Sequence, residues 1–491
     1  MAEGRARCAG ILLHPTSLPS PYGRGDIGHA AYRFVEFLSR AGFGLWQMLP
    51  VVPPHRDLSP YDALSAFAGN PALISLDWLH DSGLLEAADL EHVRATPAGR
   101  DAAIALAAAR FAGNPDHALH HGFPAFRSRH AHWLEDYALF VALREAHGDE
   151  PWYRWPQPLR DRETDALAGA RALHAARVDA LCFGQYVFEL QWQELQSYAR
   201  GLGVEFFGDV PIFVARDSAD VWASRHLFRI AEDGELPVET GVPPDYFSAD
   251  GQRWGNPHYD WAAMEADGFA WWRRRIALQR GRFAVLRIDH FRGFEACWEV
   301  PRTALTAAEG HWAPAPGHAL LAALVEAAGQ DSLVAEDLGT ITPAVDALRL
   351  AHGLPGMLVL QFAFDGNPSN PYLPHNHVPL AVAYSGTHDN DTTLGWFRGL
   401  DRAARENVLA YFGQQDGDMP WTLVRAAFAS VARLAIVPLQ DVLALGSESR
   451  MNVPGVATGN WCWQLRDADA LDAALAQRMR EMLRRHGRLR G

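Results

Sequence analysis

The chain has 491 residues, 48% of them hydrophobic, and its 44 basic side chains are outnumbered by 58 acidic ones, for a formal net charge of −14. A surface of that sign, without long basic runs, does not recommend nucleic acid or an anionic membrane as partner, and no apolar stretch reaches the roughly 20 residues of a spanning helix. All 44 basic residues are arginine, which excludes a lysine Schiff base, lysine-bound pyridoxal phosphate and the lysine of a P-loop.

The first residues, MAEGRARCAGILLHP, carry no signal-peptide pattern, so a cytoplasmic location is expected. From there, short apolar runs rich in β-formers recur at 10–14, 45–51, 206–214, 285–291, 333–338, 357–364, 382–389 and 434–443. Helix-period segments such as HAAYRFVEFLSRAGF (29–43), FGQYVFELQWQELQSYARGLG (183–203) and LLAALVEAAGQ (320–330) lie between several of them. Strand and helix alternating in this way predict an α/β fold, a closed (β/α)8 TIM barrel, as one catalytic domain over 1–491. Two connections are too long for simple loops. Residues 65–175 read as a largely helical insertion, and 215–275 as a loop insertion beside the cleft. The histidines at 117, 120, 121, 130 and 132 lack a clean i, i+4 pair backed by a carboxylate and read as solvated helix surface. The four isolated cysteines read as buried thiols. In FDGNPSNPYLPHNH (364–377) the polar spacing imitates a calcium loop, but the prolines break it, so no metal is expected.

Polar residues cluster where these runs end: Asp209 in FFGDVPIFV, Arg287, Asp289 and His290 in VLRIDHFRG, Glu336 and Asp337 in LVAEDLG, His388 and Asp389 in SGTHDND. In a barrel the C-terminal strand ends converge on one cavity, so acids on separate strands meet there. Arg287 and Asp289 are two apart on one face, which predicts that the guanidinium holds the Asp289 carboxylate ionised. Carboxylates flanking one bond, one ionised and one protonated, are the machinery of glycosidic bond cleavage.

The chain resembles the amylomaltases, 4-α-glucanotransferases of the α-amylase clan. The matching segments run from ILLHPTSLPSPYG to RMNVPGVATGNWCW and include SAFAGNP, FFGDVPIFVARDSADVW, GVPPDYFSADGQRWGNP, RIDHFRGFEACWEVP, AEDLGTITP and GTHDNDTTLGW. The resemblance implies a retaining double displacement on α-1,4-glucans and maltooligosaccharides, with no metal or organic cofactor. It implies Asp289 as nucleophile, Glu336 as general acid/base and Asp389 as the carboxylate that stabilises the oxocarbenium-like state. Arg287 would orient Asp289, while Asp209, His290 and His388 would bond the sugar at the cleavage point. Ser59, Tyr61, Asp365 and Asn460 would lie around the donor glucan, and Tyr246, Phe247, Gln252 and Trp254 on the acceptor side. The chain departs from the family pattern at PPHRDL (53–58), at Asp62 where glutamine is usual, and at Gln464 where arginine is common. An α-amylase-like hydrolase using the same acids and a non-catalytic glucan-binding barrel are the competing readings.

Overall fold

Each of the eight apolar runs forms a parallel strand in the computed structural model, which describes residues 6–96, 99–244, 249–414 and 418–490. In chain order they are β1 (Cys8–Leu12), β2 (Leu45–Gln47), β3 (Glu205–Pro211), β4 (Val285–Asp289), β5 (Leu333–Ala335), β6 (Gly356–Val359), β7 (Ala381–Tyr384) and β8 (Leu434–Pro438). Around the sheet the order is β6-β7-β8-β1-β2-β3-β4-β5. The two outer strands meet to close it: Ala335 N–H donates to the Pro355 carbonyl at 2.9 Å. Beside that bond, Met357 N–H donates to the Asp337 carboxylate at 2.7 Å, and Arg349 pairs with Asp337 at 3.0 Å.

Strand alternation explains what fills this barrel. Cys8, Leu12, Phe207, Val285, Val334, Val382, Tyr384, Leu434 and Ile436 form one buried cluster, the barrel interior. The intervening Ala9, Ile11, Phe206, Leu286, Ile288, Ala335, Ala435 and Val437 belong to a second cluster, packed against the surrounding helices. Gly10 occupies an inward position where a Cβ would come within 2.6 Å of the Leu45 Cβ and carbonyl oxygen. The same period carries function upward. Asp209 stands two residues above Phe207, Arg287 and Asp289 two and four above Val285, and Glu336 two above Val334, so all four share the interior face at the C-terminal mouth.

The helices form as their sequences dictate. In α1 (His29–Ala41) Ala31, Phe34, Val35, Leu38 and Ala41 make a buried stripe, and Gly42 ends the helix in the left-handed region at φ 83°. Burial of side chains the size of Phe34 and Leu38 contributes about 1.5–3 kcal/mol each. Next come α2 (Ala175–Gly201), α3 (Ala270–Arg282), α4 (Gly317–Ala328), α5 (Pro343–Ala351), α6 (Trp421–Ala429) and α7 (Ala473–Arg485). The connection from β6 to β7 contains 3-10 turns but no α-helix, because Pro368, Pro371, Pro374 and Pro379 deprive it of backbone donors. Beneath the barrel, Arg488 is fully buried. It donates five hydrogen bonds of 2.7–3.0 Å to the carbonyls of Cys8, Phe428, Ser430, Ala432 and Arg433.

Between β2 and α2 the chain forms successive helices, including Arg100–Gly113, Phe123–His130 and Leu134–Ala146. The histidines there are not all solvated surface as expected. His130 is buried and pairs with Glu189 at 3.1 Å, and His120 stacks on Phe111 with ring centroids 3.8 Å apart; imidazole faces pack as aromatics do. The segment after β3 contributes Val238–Val242 and Gln252–Arg253 to a four-stranded antiparallel sheet completed by Ala296–Pro301 and His311–Pro314 after β4. That second pair of strands was not expected. Several barrel strands are also shorter than their apolar runs: β2 ends at Gln47, β6 at Val359 and β7 at Tyr384, since the chain leaves the sheet to present the site loops. Cys462 is exposed, against the expectation of a buried thiol, while Cys8, Cys182 and Cys297 are buried.

Candidate active site

Arg287 organises the floor of the barrel mouth. Its side chain is 5% exposed, and its two arms reach Asp209 at 2.7 Å and Asp289 at 2.8 Å. Burial works against the guanidinium charge, but the two carboxylates more than offset it and keep Arg287 protonated. Tyr61 extends the network: its hydroxyl donates to Asp209 at 2.8 Å and lies 2.8 Å from His388 Nε2. With the only Tyr61 proton on Asp209, His388 carries its hydrogen on Nε2 and donates to the phenol oxygen. The two rings stack, with centroids 5.3 Å apart and an interplanar angle of 11°. His388 Nε2 also lies 3.3 Å from Asp389 Oδ2. A polar chain therefore runs from Asp389 through His388, Tyr61, Asp209 and Arg287 to Asp289.

Glu336 is held differently. His290 follows the last residue of β4 in the left-handed region, at φ 52°, a conformation uncommon for a residue with a Cβ. This turn points His290 N–H at Glu336 Oε2, 2.7 Å away, while Leu338 N–H reaches Oε1 at 2.9 Å. The His290 ring meets Trp254 edge to face at 4.8 Å. Burial, followed by the charge of Arg292, lowers His290 to about 3, so the imidazole is neutral. Its Nε2 and the buried Asp209 Oδ1 have no hydrogen-bond partner among the described residues.

The electrostatics correct the simple reading of Arg287 and Asp289. One guanidinium is shared between two carboxylates, so its charge does not suffice to keep Asp289 in the ordinary range. Burial raises Asp289 to about 8, with Asp209, Glu336 and Asp389 adding to the rise and Arg287 opposing it. Burial likewise raises Glu336, against the pull of Arg287 and two backbone N–H donors. Burial thus pushes both carboxyls towards their protonated forms, and a protonated carboxyl is what a donor to a leaving group requires.

Above this floor opens a cleft of about 370 Å3. Ser59 and Tyr61 line it on one side, Gln252 and Trp254 on another, with Asp289, His388 and Asp389 at the base. Trp254 donates its indole N–H to Gln252 at 3.2 Å. Asn460 also lines the cleft, but its amide is engaged by its own loop: it accepts from Val453 N–H at 2.9 Å and donates to the Val456 carbonyl at 2.7 Å. Asp365 does not join the cleft lining. It is exposed and accepts from Asn367 N–H at 2.9 Å, shaping a turn. Tyr246 and Phe247 lie outside the described residues. Two contributors that strand-end reasoning misses are Arg450 and Asn452, which grip Asp389 through its carbonyl and carboxylate, each at 2.6 Å. They follow the last strand by more than ten residues, and the only signal for them was the RMNVPG stretch itself.

A (β/α)8 barrel that gathers three carboxylates and an arginine–aspartate pair at its C-terminal mouth, beneath a long open cleft, defines an enzyme that works on glycosidic bonds. The family described as 4-alpha-glucanotransferase matches residues 13–470. The 4-alpha-glucanotransferase of Thermus thermophilus is 49% identical, over 94% of this chain and 95% of its own. That of a Synechocystis species is 47% identical, over 93% and 94%. The solved structure of amylomaltase from Streptococcus agalactiae in complex with acarbose superposes with a TM-score of 0.95 at 34% identity, covering 99% of this chain and all of that one. The chain belongs to the 4-alpha-glucanotransferase family.

Proposed function

We propose that this enzyme transfers α-1,4-glucan segments between maltooligosaccharides or longer α-glucans by retaining double displacement. The observation that carries the reading is the placement of Asp289, Glu336 and Asp389, from three different strands, at one mouth, with Arg287 bound to Asp289. Asp289 attacks the anomeric carbon of the donor while Glu336 passes its proton to the departing oxygen, giving a glucosyl-enzyme and a shortened glucan. Glu336, now a base, takes the proton from the 4-hydroxyl of an acceptor, whose oxygen displaces Asp289. Two inversions at the same carbon give net retention. Asp389 stabilises the positive charge that develops on the sugar, and His290, His388 and Asp209 hold its hydroxyls in the floor.

The choice of a sugar over water follows from the walls. Water is present at about 55 M, so the intermediate must be covered while an acceptor is held in line. Trp254 and Gln252, which line the cleft, take the acceptor side of that role. Ser59, Tyr61 and the loop clasped by Asn460 flank the donor. Incubation with maltotriose followed by product chromatography tests the reading. A ladder of longer maltooligosaccharides with glucose, and an unchanged number of reducing ends, is the expected result. Reducing ends that rise in step with cleavage would identify a hydrolase, and a β-configured first product by NMR would refute retention.

A further inference from the structure

Asp389 sits beyond the end of β7, in a loop that no ladder hydrogen bond steadies, and 44% of its side chain is exposed. A short carboxylate so placed has several rotamers open to it, yet the transition state needs one. The segment after β8 supplies two contacts to Asp389, one to its backbone and one to its carboxylate. Arg450 donates through Nη2 to the Asp389 carbonyl and through Nε to the Asn452 carbonyl, each at 2.6 Å, so one rigid fork ties the two backbones together. Asn452 Nδ2 then donates to Asp389 Oδ1 at 2.6 Å, while His388 Nε2 faces Oδ2 at 3.3 Å. The Asn452 amide is thus a hydrogen-bond donor to the Asp389 carboxylate, and it holds Oδ1 in one direction.

We propose that Asn452 is a positioning residue for Asp389, aiming its carboxylate at the sugar in the cleft. Asn452 also begins the loop that Asn460 clasps and that lines the cleft through Val453 and Val456. The arm that aims Asp389 is therefore continuous with the wall against which a donor glucan lies. The inference rests on Asp389 being the stabilising carboxylate, and the experiment separates the two claims.

Turnover and KM with maltotriose are measured for wild type, Asn452→Ala, Asn452→Asp, Asp389→Asn and the Asp389→Asn/Asn452→Ala double variant, with folding checked by thermal melting. Asn452→Ala should lower kcat by about 100-fold, the size of effect a misaimed group produces, and leave KM within about twofold. Asn452→Asp has the same size but no N–H to donate, so it should lose at least as much and serves if the alanine variant folds poorly. In the Asp389→Asn background, Asn452→Ala should cost no more than about a further twofold, because the group it positions is already gone. A rise in KM alone would make Asn452 a substrate contact and overturn the proposal, as would full turnover in Asn452→Asp or undiminished loss in the double variant. Wild-type turnover in Asp389→Asn would instead refute the role given to Asp389.

Discussion

The shared guanidinium sets opposite demands on Asp289. Its carboxyl is raised to about 8, so between the ordinary carboxyl range near 4 and about 8 the folded protein binds more protons than the unfolded chain, and stability falls as pH rises through that window. Asp289→Asn removes a buried like charge and should stabilise the protein at pH 8 while abolishing transfer. Urea unfolding should therefore show a gain for Asp289→Asn at pH 8 that shrinks towards pH 4. An equal stability difference at both values would contradict it. Tyr61→Phe acts the other way. It deprives Asp209 and His388 of their common hydroxyl partner and should cost about 1–3 kcal/mol, the penalty for leaving a buried polar group unsatisfied, measurable in the same unfolding assay. These electrostatics were not legible in the sequence, because the Arg287–Asp289 spacing shows one partner of the arginine and conceals Asp209, 78 positions earlier.

Adjacent carboxylates at the end of β5 separate chemistry from architecture. Glu336 faces the barrel interior, and Asp337, one residue on, faces the β6 seam, where it holds Met357 N–H and Arg349. Glu336→Gln should therefore melt like wild type and lose turnover by orders of magnitude. Asp337→Ala removes the acceptor of Met357 N–H and one of the acids on Arg349, which keeps Asp346 and the Leu354 carbonyl, and should cost about 1–3 kcal/mol, read as a lower denaturation midpoint. Equal melting of the two variants would refute the division. The eight strands and the inward acids were readable because period-2 alternation is a local property. The antiparallel pairing of Val238–Val242 with Ala296–Pro301 was not, since it joins segments on either side of α3 and β4. The grip of Arg450 on Asp389 escaped for the same reason, as a contact across 61 positions. Asn460 and Asp365, named by resemblance, are in the structure a loop clasp and a turn former. The family motif marks such positions without saying which atoms they engage.

Across the whole molecule, Arg488 fastens the last described turn to the bottom of β1 and β8, with all five of its N–H groups engaged. Arg488→Ala removes five buried hydrogen bonds, although Arg7 still reaches Phe428, Ser430 and Ala432, and should cost about 3 kcal/mol, with a thermal shift and unchanged kcat for the folded fraction, since the mouth is at the opposite end. A large fall in kcat at unchanged stability would contradict that separation. The seam between β5 and β6 has the converse weakness. Elsewhere neighbouring strands share continuous ladders, whereas here Ala335 N–H has one carbonyl partner and Met357 N–H has only a carboxylate. In deuterium the barrel should breathe at this joint. The amides of Ala335 and Met357 should exchange well before those of Ile11 and Ile436, and their exchange should accelerate once acid protonates Asp337, so the cylinder opens like a book along one spine.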